Sequence, residues 1–343
     1  MPDYMQAYTE SREENVKKVL LKIIAGLLVA VLLIAGGFWF WCKVINHRSF
    51  MAGFVDLFLV LQHRSDKFTY ADKADEYIES KAEENAQPVV IDKAKFGVSL
   101  REERYGTLQA FIYNDQENPK QTVFYFHGGA YVNQPNNQQT TMAARTAAET
   151  GAEVVLIVYP KMPVYTCEDA YSACLDYYDY YTGFNDCGKI VLMGDSAGGG
   201  LALGMVQQLK QQGKTLPEEL ILISPWVDVT MSNKDLDEYA ELDPMLGIDG
   251  LIRMGEVWAG DLPVTDPKVS PIYGDLAIPC HVTVTTGTWE VLYPDTVLLV
   301  DKMKEAGTDV ALITGERMIH CYPICPIPEA KGAQMVIWAE ITD

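Results

Sequence analysis

The chain has 343 residues, 48% of them hydrophobic, which is enough apolar sequence for a large core in one or two domains. Its formal net charge of −20, without a lysine or arginine cluster, argues against nucleic acid as a partner and against an anionic polymer as a substrate. None of the seven cysteines forms a C-x-x-C pair, so a structural zinc site is not expected and no metal ligands are assigned. Disulfides among Cys167, Cys174 and Cys187 and free buried thiols both remain open.

The segment 19–42 reads VLLKIIAGLLVAVLLIAGGFWFWC and is long enough to cross a bilayer. Its one charge, Lys22, lies near its start, and its aromatic end suits the membrane interface. A cleaved signal peptide has a shorter apolar core and a small-residue cleavage site. We therefore predict a single-pass membrane anchor after a short cytoplasmic tail, residues 1–18. Basic residues are more numerous before the span than after it, which predicts that the large domain lies outside the cytoplasm.

Residues 46–95 read as amphipathic helices that Pro88 closes, and from Val98 onward strand-like and helix-like segments alternate. The strand-like segments, some with the loop that follows, are 98–105, 108–114, 121–129, 153–160, 189–193, 216–226, 280–292 and 309–320. The helix-like segments are 136–151, 167–184, 201–213 and 295–307, with 229–268 irregular and partly helical. This alternation predicts an α/β fold with a mostly parallel sheet and helices on both faces. No P-loop and no G-x-G-x-x-G fingerprint occurs, so no cofactor is expected.

The stretch KIVLMGDSAGGG, residues 189–200, places G-x-S-x-G between a strand and a helix. That context is the one a nucleophile elbow requires, with small residues flanking the serine because the turn is tight. The alternative is a glycine-rich turn with an incidental serine. Ser196 is therefore the candidate nucleophile, provided that a base, an acid and an anion-binding loop follow the order that this fold uses.

A serine hydroxyl needs a base, usually histidine, that is oriented by a carboxylate, and in this fold the order along the chain is serine, acid, histidine. His47 and His63 precede the α/β segment, and His127 and His281 precede any acid that could follow the nucleophile and its helix. Only His320 follows a late strand, so elimination predicts that His320 is the general base.

Glu290 and Asp295 compete for the role of the orienting acid in the loop after the penultimate strand. Asp295 follows Pro294 in a position to cap the next helix, whereas Glu290 lies nearer the strand end, so Glu290 is favoured. Asp228 follows an earlier strand and is a weaker alternative. Asp195 adjoins the nucleophile and is interpreted as structural.

The tetrahedral intermediate of acyl transfer needs backbone N–H donors aimed at its oxyanion. The sequence HGGAY, residues 127–131, follows a buried strand, and its glycines let the backbone approach a substrate closely. We predict that Gly128 and Gly129 supply donors together with Ala197, the residue after the nucleophile. A plain glycine turn is the alternative for this loop taken alone.

Several motifs resemble, in type and in order, the hormone-sensitive-lipase-like branch of the α/β-hydrolases over roughly residues 96–343. They are HGGAY, YP followed by MPVY, GDSAGGG, SPWVD, DPML with DGL and WAGD, VSPIYGDL, GTWEVL and IHCYP. The resemblance implies a serine carboxylesterase that acts through an acyl-enzyme, with residues 46–95 and about 229–268 forming a helical cap over the pocket. Ala130 replaces the usual third glycine, and Glu290 stands where the family more often has aspartate.

These features together predict a cofactor-free, membrane-anchored ester hydrolase for small-molecule esters, and the resemblance implies esters of short to medium acids. One alternative is a deacetylase or amidase acting on a surface or dietary compound, because the same machinery serves and only the pocket differs. A membrane-lipid hydrolase is a further alternative, since the anchor places the pocket near lipid. The last is a non-catalytic scaffold that kept the fold. The sequence leaves the oligomeric state open.

Overall fold

The computed structural model describes residues 2–62, 66–91 and 95–343, and the chain divides into two compact units, residues 1–54 and 55–343. In the first unit, helix α1 (Pro2–Phe40) continues into a wider helical turn, Trp41–Ile45. The stretch Glu14–Ile45 contains an 18-residue window with a mean hydropathy of 2.8 and is the one helix of the described residues long and apolar enough to cross a membrane. The predicted span 19–42 thus lies within a continuous helix, whose composition fits an anchor or a signal sequence.

The second unit is built on an eight-stranded sheet in the order β1-β2-β4-β3-β5-β6-β7-β8. The strands are β1 (Leu100–Tyr105), β2 (Leu108–Tyr113), β3 (Gln121–Phe126), β4 (Glu153–Val158), β5 (Lys189–Asp195), β6 (Glu219–Ile223), β7 (His281–Gly287) and β8 (Val310–Gly315). Strands β3 to β8 pair in parallel, and β2 pairs antiparallel with both β1 and β4. The predicted mostly parallel sheet is confirmed, and its carboxyl edge gathers the loops after β3, β5 and β7.

Both faces of the sheet are covered by helices. Along β5, Ile190 and Leu192 join one apolar cluster while Val191 and Met193 join another, as the two-residue period of a strand requires. The remaining α-helices of the described residues are α2 (Phe50–Leu61), α3 (Asp66–Thr69), α4 (Ala71–Ser80), α5 (Ala82–Asn85), α6 (Asn137–Thr150), α7 (Cys167–Phe184), α8 (Ala197–Gln212), α9 (Leu236–Ala240), α10 (Ile248–Ala259), α11 (Tyr293–Glu305) and α12 (Ala330–Thr342). Helix α6 ends at the predicted Gly151, which adopts a left-handed conformation.

The two segments that the family resemblance assigns to a cap contact each other. Helix α10 packs against α3 and α4. The guanidinium of Arg253 on α10 donates to Asp75 Oδ1 on α4 at 2.7 Å, across 178 residues of sequence. These helices therefore form one layer from two distant parts of the chain.

The cysteines form no disulfide within the described residues, which include all seven of them. Cys167, Cys174 and Cys187 are separate buried thiols, and burial raises the pKa of Cys187 to about 11. The sequence left disulfides and free buried thiols open, and the structure has free buried thiols. Their burial keeps them protonated, so they behave as small apolar side chains.

Candidate active site

Ser196 occupies the sharp turn between β5 and α8, where its φ of 53° is strained for a residue with a side chain. The Ser196 N–H donates to the Ile223 carbonyl at 2.8 Å, and the Ser196 carbonyl accepts from Trp226 N–H at 2.9 Å. A Cβ at Gly194 would lie 2.2 Å from a backbone oxygen, and one at Gly198 would lie 2.1 Å from another. The turn is therefore open only to glycine at these two positions, as the elbow motif predicts.

Glu290 and His320 are hydrogen-bonded to each other. His320 Nδ1 lies 2.8 Å from Glu290 Oε2, and both side chains are buried. The other Glu290 oxygen accepts hydrogen bonds from the Thr286 hydroxyl and, at 3.2 Å, from Gly287 N–H. Because Thr286 and Gly287 end β7, the sheet itself fixes the carboxylate. Thr286 is not among the residues predicted from the sequence.

One cavity, of about 610 Å³, joins these groups. Ser196 and His320 both line it, together with Gly128, Gly129 and Ala130. Within the described residues, no hydrogen bond links the Ser196 hydroxyl to His320, whose Nε2 lies 3.4 Å from Cys321 Sγ. Catalytic hydrogen bonds are often long without substrate and shorten only in the complex. The structure thus joins the predicted base and the predicted acid directly, and the predicted nucleophile lines the same cavity.

The two other acids considered for the orienting role line a different cavity, of about 720 Å³. Asp295 Oδ1 accepts from the Asn233 amide at 2.9 Å, and Asp228 accepts from the Tyr273 hydroxyl at 2.8 Å. The interpretation of Asp295 as a helix cap is wrong. Helix α11 already begins at Tyr293, so Asp295 lies inside its first turn and bonds outward to Asn233.

Asp195 links the elbow to the loop after β3. Its Oδ1 accepts from the Tyr125 hydroxyl at 2.7 Å and from Gly128 N–H at 3.0 Å, and its Oδ2 accepts from the Gln139 amide at 2.8 Å. These are the structural contacts expected of Asp195. They contradict the prediction that Gly128 is an oxyanion donor, because its N–H is already used.

Substitution of Tyr125 tests how much its hydrogen bond to Asp195 contributes to the stability of the fold. Tyr125→Phe leaves the buried carboxylate with one donor fewer, and we expect the free energy of unfolding to fall by about 2 kcal/mol, the usual worth of a hydrogen bond to a charged group. Chemical denaturation measures it. Tyr113→Phe is the matched control, because the buried Tyr113 hydroxyl has no partner among the described residues. Equal losses in the two variants would contradict this account of Asp195.

The backbone N–H groups that remain available to an anion begin one residue after Gly128 in the loop. Gly129 and Ala130 have φ values of 119° and 53°, and nothing in the described part of the chain accepts from their N–H groups. Ala197 is the first residue of α8, so its N–H has no carbonyl one turn earlier in the helix. Gly129, Ala130 and Ala197 thus offer three backbone donors next to Ser196.

The charges around His320 favour its protonated form. Burial alone lowers the pKa of His320, but the hydrogen bond and charge of Glu290 outweigh it, and the charges of Asp243 and Asp195 add to the effect. The result is a pKa raised above the ordinary value of 6.5. A positive charge on His320 is therefore stabilised by its surroundings, as a general base requires.

Asp243 is a buried residue of this site that was not predicted from the sequence. Its Oδ2 accepts from Val291 N–H at 2.9 Å, next to Glu290 in the chain, and its Oδ1 accepts from Met245 and Leu246 at 2.7 and 3.0 Å. Burial raises the pKa of Asp243 to about 6. The sequence signal that could have identified Asp243 is the DPML motif, where an aspartate precedes a proline and can accept hydrogen bonds from the N–H groups that follow.

The other histidines that the structure describes do not line the cavity that Ser196 and His320 share. His127 is fully buried, its Nδ1 lies 2.7 Å from the Gly128 carbonyl, and burial lowers its pKa to about 3. His281 begins β7, at the opposite edge of the sheet. His47 belongs to the first unit, and His63 lies outside the described residues.

Known proteins resemble this chain in sequence and in fold. A family profile of the α/β-hydrolase fold matches residues 123–324. An esterase from Acinetobacter venetianus is 30% identical over 244 residues, which cover 69% of this chain and 79% of that protein. An acetyl-hydrolase from Streptomyces hygroscopicus is 28% identical over 223 residues, 62% of this chain and 72% of that protein. A solved hormone-sensitive lipase from a metagenome library has a TM-score of 0.71 at 25% identity, covering 84% of this chain and 97% of that one.

The chain therefore belongs to the α/β-hydrolase family, and its chemistry is that of a serine ester hydrolase. Within the family it falls in the hormone-sensitive-lipase-like branch, as the sequence motifs predicted. The scaffold alternative has no support from these relatives.

Proposed function

We propose that this ester hydrolase acts on short- to medium-chain esters through an acyl-enzyme on Ser196, with His320 as base and Glu290 as orienting acid. The observation that carries the proposal is the 2.8 Å contact between His320 and Glu290 in the cavity that Ser196 also lines. Serine, acid and base also follow the order that this fold uses. No cofactor or metal enters the mechanism.

In the proposed reaction, His320 Nε2 takes the proton of the Ser196 hydroxyl as the oxygen attacks the ester carbonyl. The N–H groups of Gly129, Ala130 and Ala197 donate to the oxyanion that forms. The imidazolium then gives its proton to the leaving alcohol, and the acyl group stays on the serine. Water, deprotonated by the same histidine, attacks the acyl-enzyme and releases the acid. Glu290 keeps the Nδ1 proton in place and stabilises the imidazolium throughout.

The cavity supports a small-molecule ester as the substrate. A volume of about 610 Å³ lies in the range of pockets that enclose a ligand of modest size. Apolar side chains from both parts of the cap line it, namely Phe58, Phe68, Leu246 and Leu251. Such a wall favours an acyl chain over a sugar or a charged group.

We further propose that the apolar helix holds the enzyme at a membrane, with the catalytic unit outside the cytoplasm. The length and composition of Glu14–Ile45 support a span, and the excess of basic residues at its N-terminal side supports this orientation. Protease treatment of intact cells tests the orientation. Protection of residues 55–343 from an external protease would reverse it.

A chain-length panel tests the substrate. We expect full-length protein in detergent to show its highest kcat/KM with p-nitrophenyl acetate to octanoate and a decline of at least about 10-fold for palmitate, because the enclosed pocket limits chain length. Absence of turnover on every ester would contradict ester hydrolysis. Acetylated sugars are the comparison for the second candidate, a deacetylase, which the named activity of the Streptomyces relative favours. A preference for those sugars over alkyl acetates would select it, and a preference for palmitate would select a lipid hydrolase.

A further inference from the structure

Three side chains that commonly bind metals meet at the edge of the sheet opposite to the active-site cavity. Glu219, His281 and Glu340 each offer one ligand atom, and these atoms all lie within 4.8 Å of one another. Glu219 and His281 are the first residues of β6 and β7 and stand in register, so they project from the same face of the sheet. Glu340 comes from the last turns of α12. Three separate elements thus converge on one point.

The imidazole in this cluster is already oriented. His281 Nδ1 lies 2.8 Å from Asp309 Oδ2, which leaves Nε2 as the ring nitrogen available to a cation. A carboxylate that accepts from the second ring nitrogen is the arrangement that commonly supports metal-binding histidines, because it fixes the tautomer and makes the free nitrogen more basic. Neither Asp309 nor His281 has a part in the proposed ester hydrolysis.

Glu219 is the buried carboxylate of the cluster, and it has few hydrogen-bond partners. Glu219 is 2% exposed, and its carboxylate accepts one hydrogen bond from the described residues, from Thr283 at 3.2 Å. The nearby Lys189 donates to the backbone carbonyl of Glu340 at 2.6 Å, not to either carboxylate. Two neighbouring carboxylates, one of them buried, are a costly arrangement unless a positive charge lies between them.

We infer that Glu219, His281 and Glu340 bind a divalent transition-metal cation, with Zn²⁺ as the best fit, and that the ion fastens α12 to the sheet. One imidazole and two carboxylates suit Zn²⁺, which accepts nitrogen and oxygen ligands and completes its coordination with water. Strand β7 separates the cluster from the catalytic edge by about 20 Å, so the ion would be structural. The absence of C-x-x-C pairs does not bear on a histidine–glutamate site. The inference is independent of the proposed function.

Calorimetric titration of chelator-treated, full-length protein with Zn²⁺ tests the inference. We expect one Zn²⁺ per chain, bound far more tightly than Mg²⁺, and a higher Tm with Zn²⁺ present. His281→Gln and Glu340→Gln each remove a ligand and are expected to weaken Zn²⁺ binding by more than about 10-fold, the lower end of what loss of an outer partner costs. Asp309→Asn is expected to weaken it by about 10-fold. Glu305→Gln, which removes one exposed charge on α11, is the matched control and leaves the affinity unchanged.

A second measurement separates this site from the cysteines. With Co²⁺ in place of Zn²⁺, nitrogen and oxygen ligands give weak d–d bands, whereas thiolates add an intense charge-transfer band. We expect weak bands only, lost in His281→Gln, while ester turnover by His281→Gln stays at the wild-type level. If His281→Gln fails to fold, Asp309→Asn carries the comparison, because Asp309 is exposed at the surface. No Zn²⁺ binding, equal affinity in all variants, or a thiolate band would each overturn the inference.

Discussion

Ser196→Ala is expected to lower kcat/KM for p-nitrophenyl butyrate by on the order of 10⁶-fold, because no other group at the elbow can form the acyl-enzyme. The change removes one oxygen and keeps the backbone at a φ of 53°, so the fold should be retained. Rates of the full-length variant and of wild type, together with their circular dichroism, measure both effects. Ser232→Ala makes the same chemical change at an exposed serine outside the cavity and is the matched control.

Covalent labelling gives the same prediction a second readout. A fluorophosphonate reacts with an activated serine and not with an ordinary one. We expect labelling of wild type and of Ser232→Ala, and none of Ser196→Ala. Equal hydrolysis by wild type and Ser196→Ala would remove Ser196 from the mechanism, even if the fold assignment stood.

Glu290→Gln is expected to lower kcat/KM by on the order of 10⁴-fold at neutral pH. The amide keeps the size of the side chain but removes the charge that stabilises protonated His320 and favours the correct tautomer. Glu290→Asp keeps the charge with a shorter reach and should retain more activity than Glu290→Gln. Steady-state kinetics with p-nitrophenyl butyrate measures the three proteins.

The pH profile separates this role from a purely structural one. Only neutral His320 accepts the serine proton, and its pKa in the free enzyme is raised above 6.5. Wild-type kcat/KM should therefore fall as the pH falls through a value above 6.5. Without the Glu290 charge the pKa of His320 decreases, so the acidic limb of Glu290→Gln should move to lower pH.

Matched acid variants decide between the candidate carboxylates. Asp295→Asn and Asp228→Asn change acids that line the second cavity, and we expect activity within a few-fold of wild type. A large loss in either of them, with Glu290→Gln near wild type, would reassign the acid.

The parts of the site that follow chain order were predictable from the sequence. Ser196 stands in a local motif, His320 emerged from elimination among five histidines, and Glu290 was favoured by its nearness to a strand end. The three residues follow strands of a parallel sheet, and loops after parallel strands meet at one edge of the sheet. Strands β3 to β6 were predictable because their apolar runs are nearly continuous.

Other parts depend on contacts between distant residues. The N–H of Gly128 points to Asp195, which lies 67 residues further along the chain, and no local pattern contains that pairing. Consecutive positive φ values from Gly129 to Tyr131 then turn the next N–H groups in a new direction. Asp243 likewise accepts a hydrogen bond from Val291, 48 residues further along the chain. The DPML motif that begins at Asp243 does not indicate this partner.

The predicted cap is built from two segments that are far apart in the chain, so the ribosome makes them at different times. Asp75 leaves the ribosome 178 residues before its partner Arg253. At a translation rate of about 5–20 residues per second, the first segment of the cap is synthesised roughly 10–40 s before the second. During that interval Phe68 on α3, which later lines the cavity, lacks the neighbouring helix α10 against which α3 packs. The nascent chain therefore exposes part of the future cavity wall as an open apolar surface, and this wall is covered only after most of the sheet has been made.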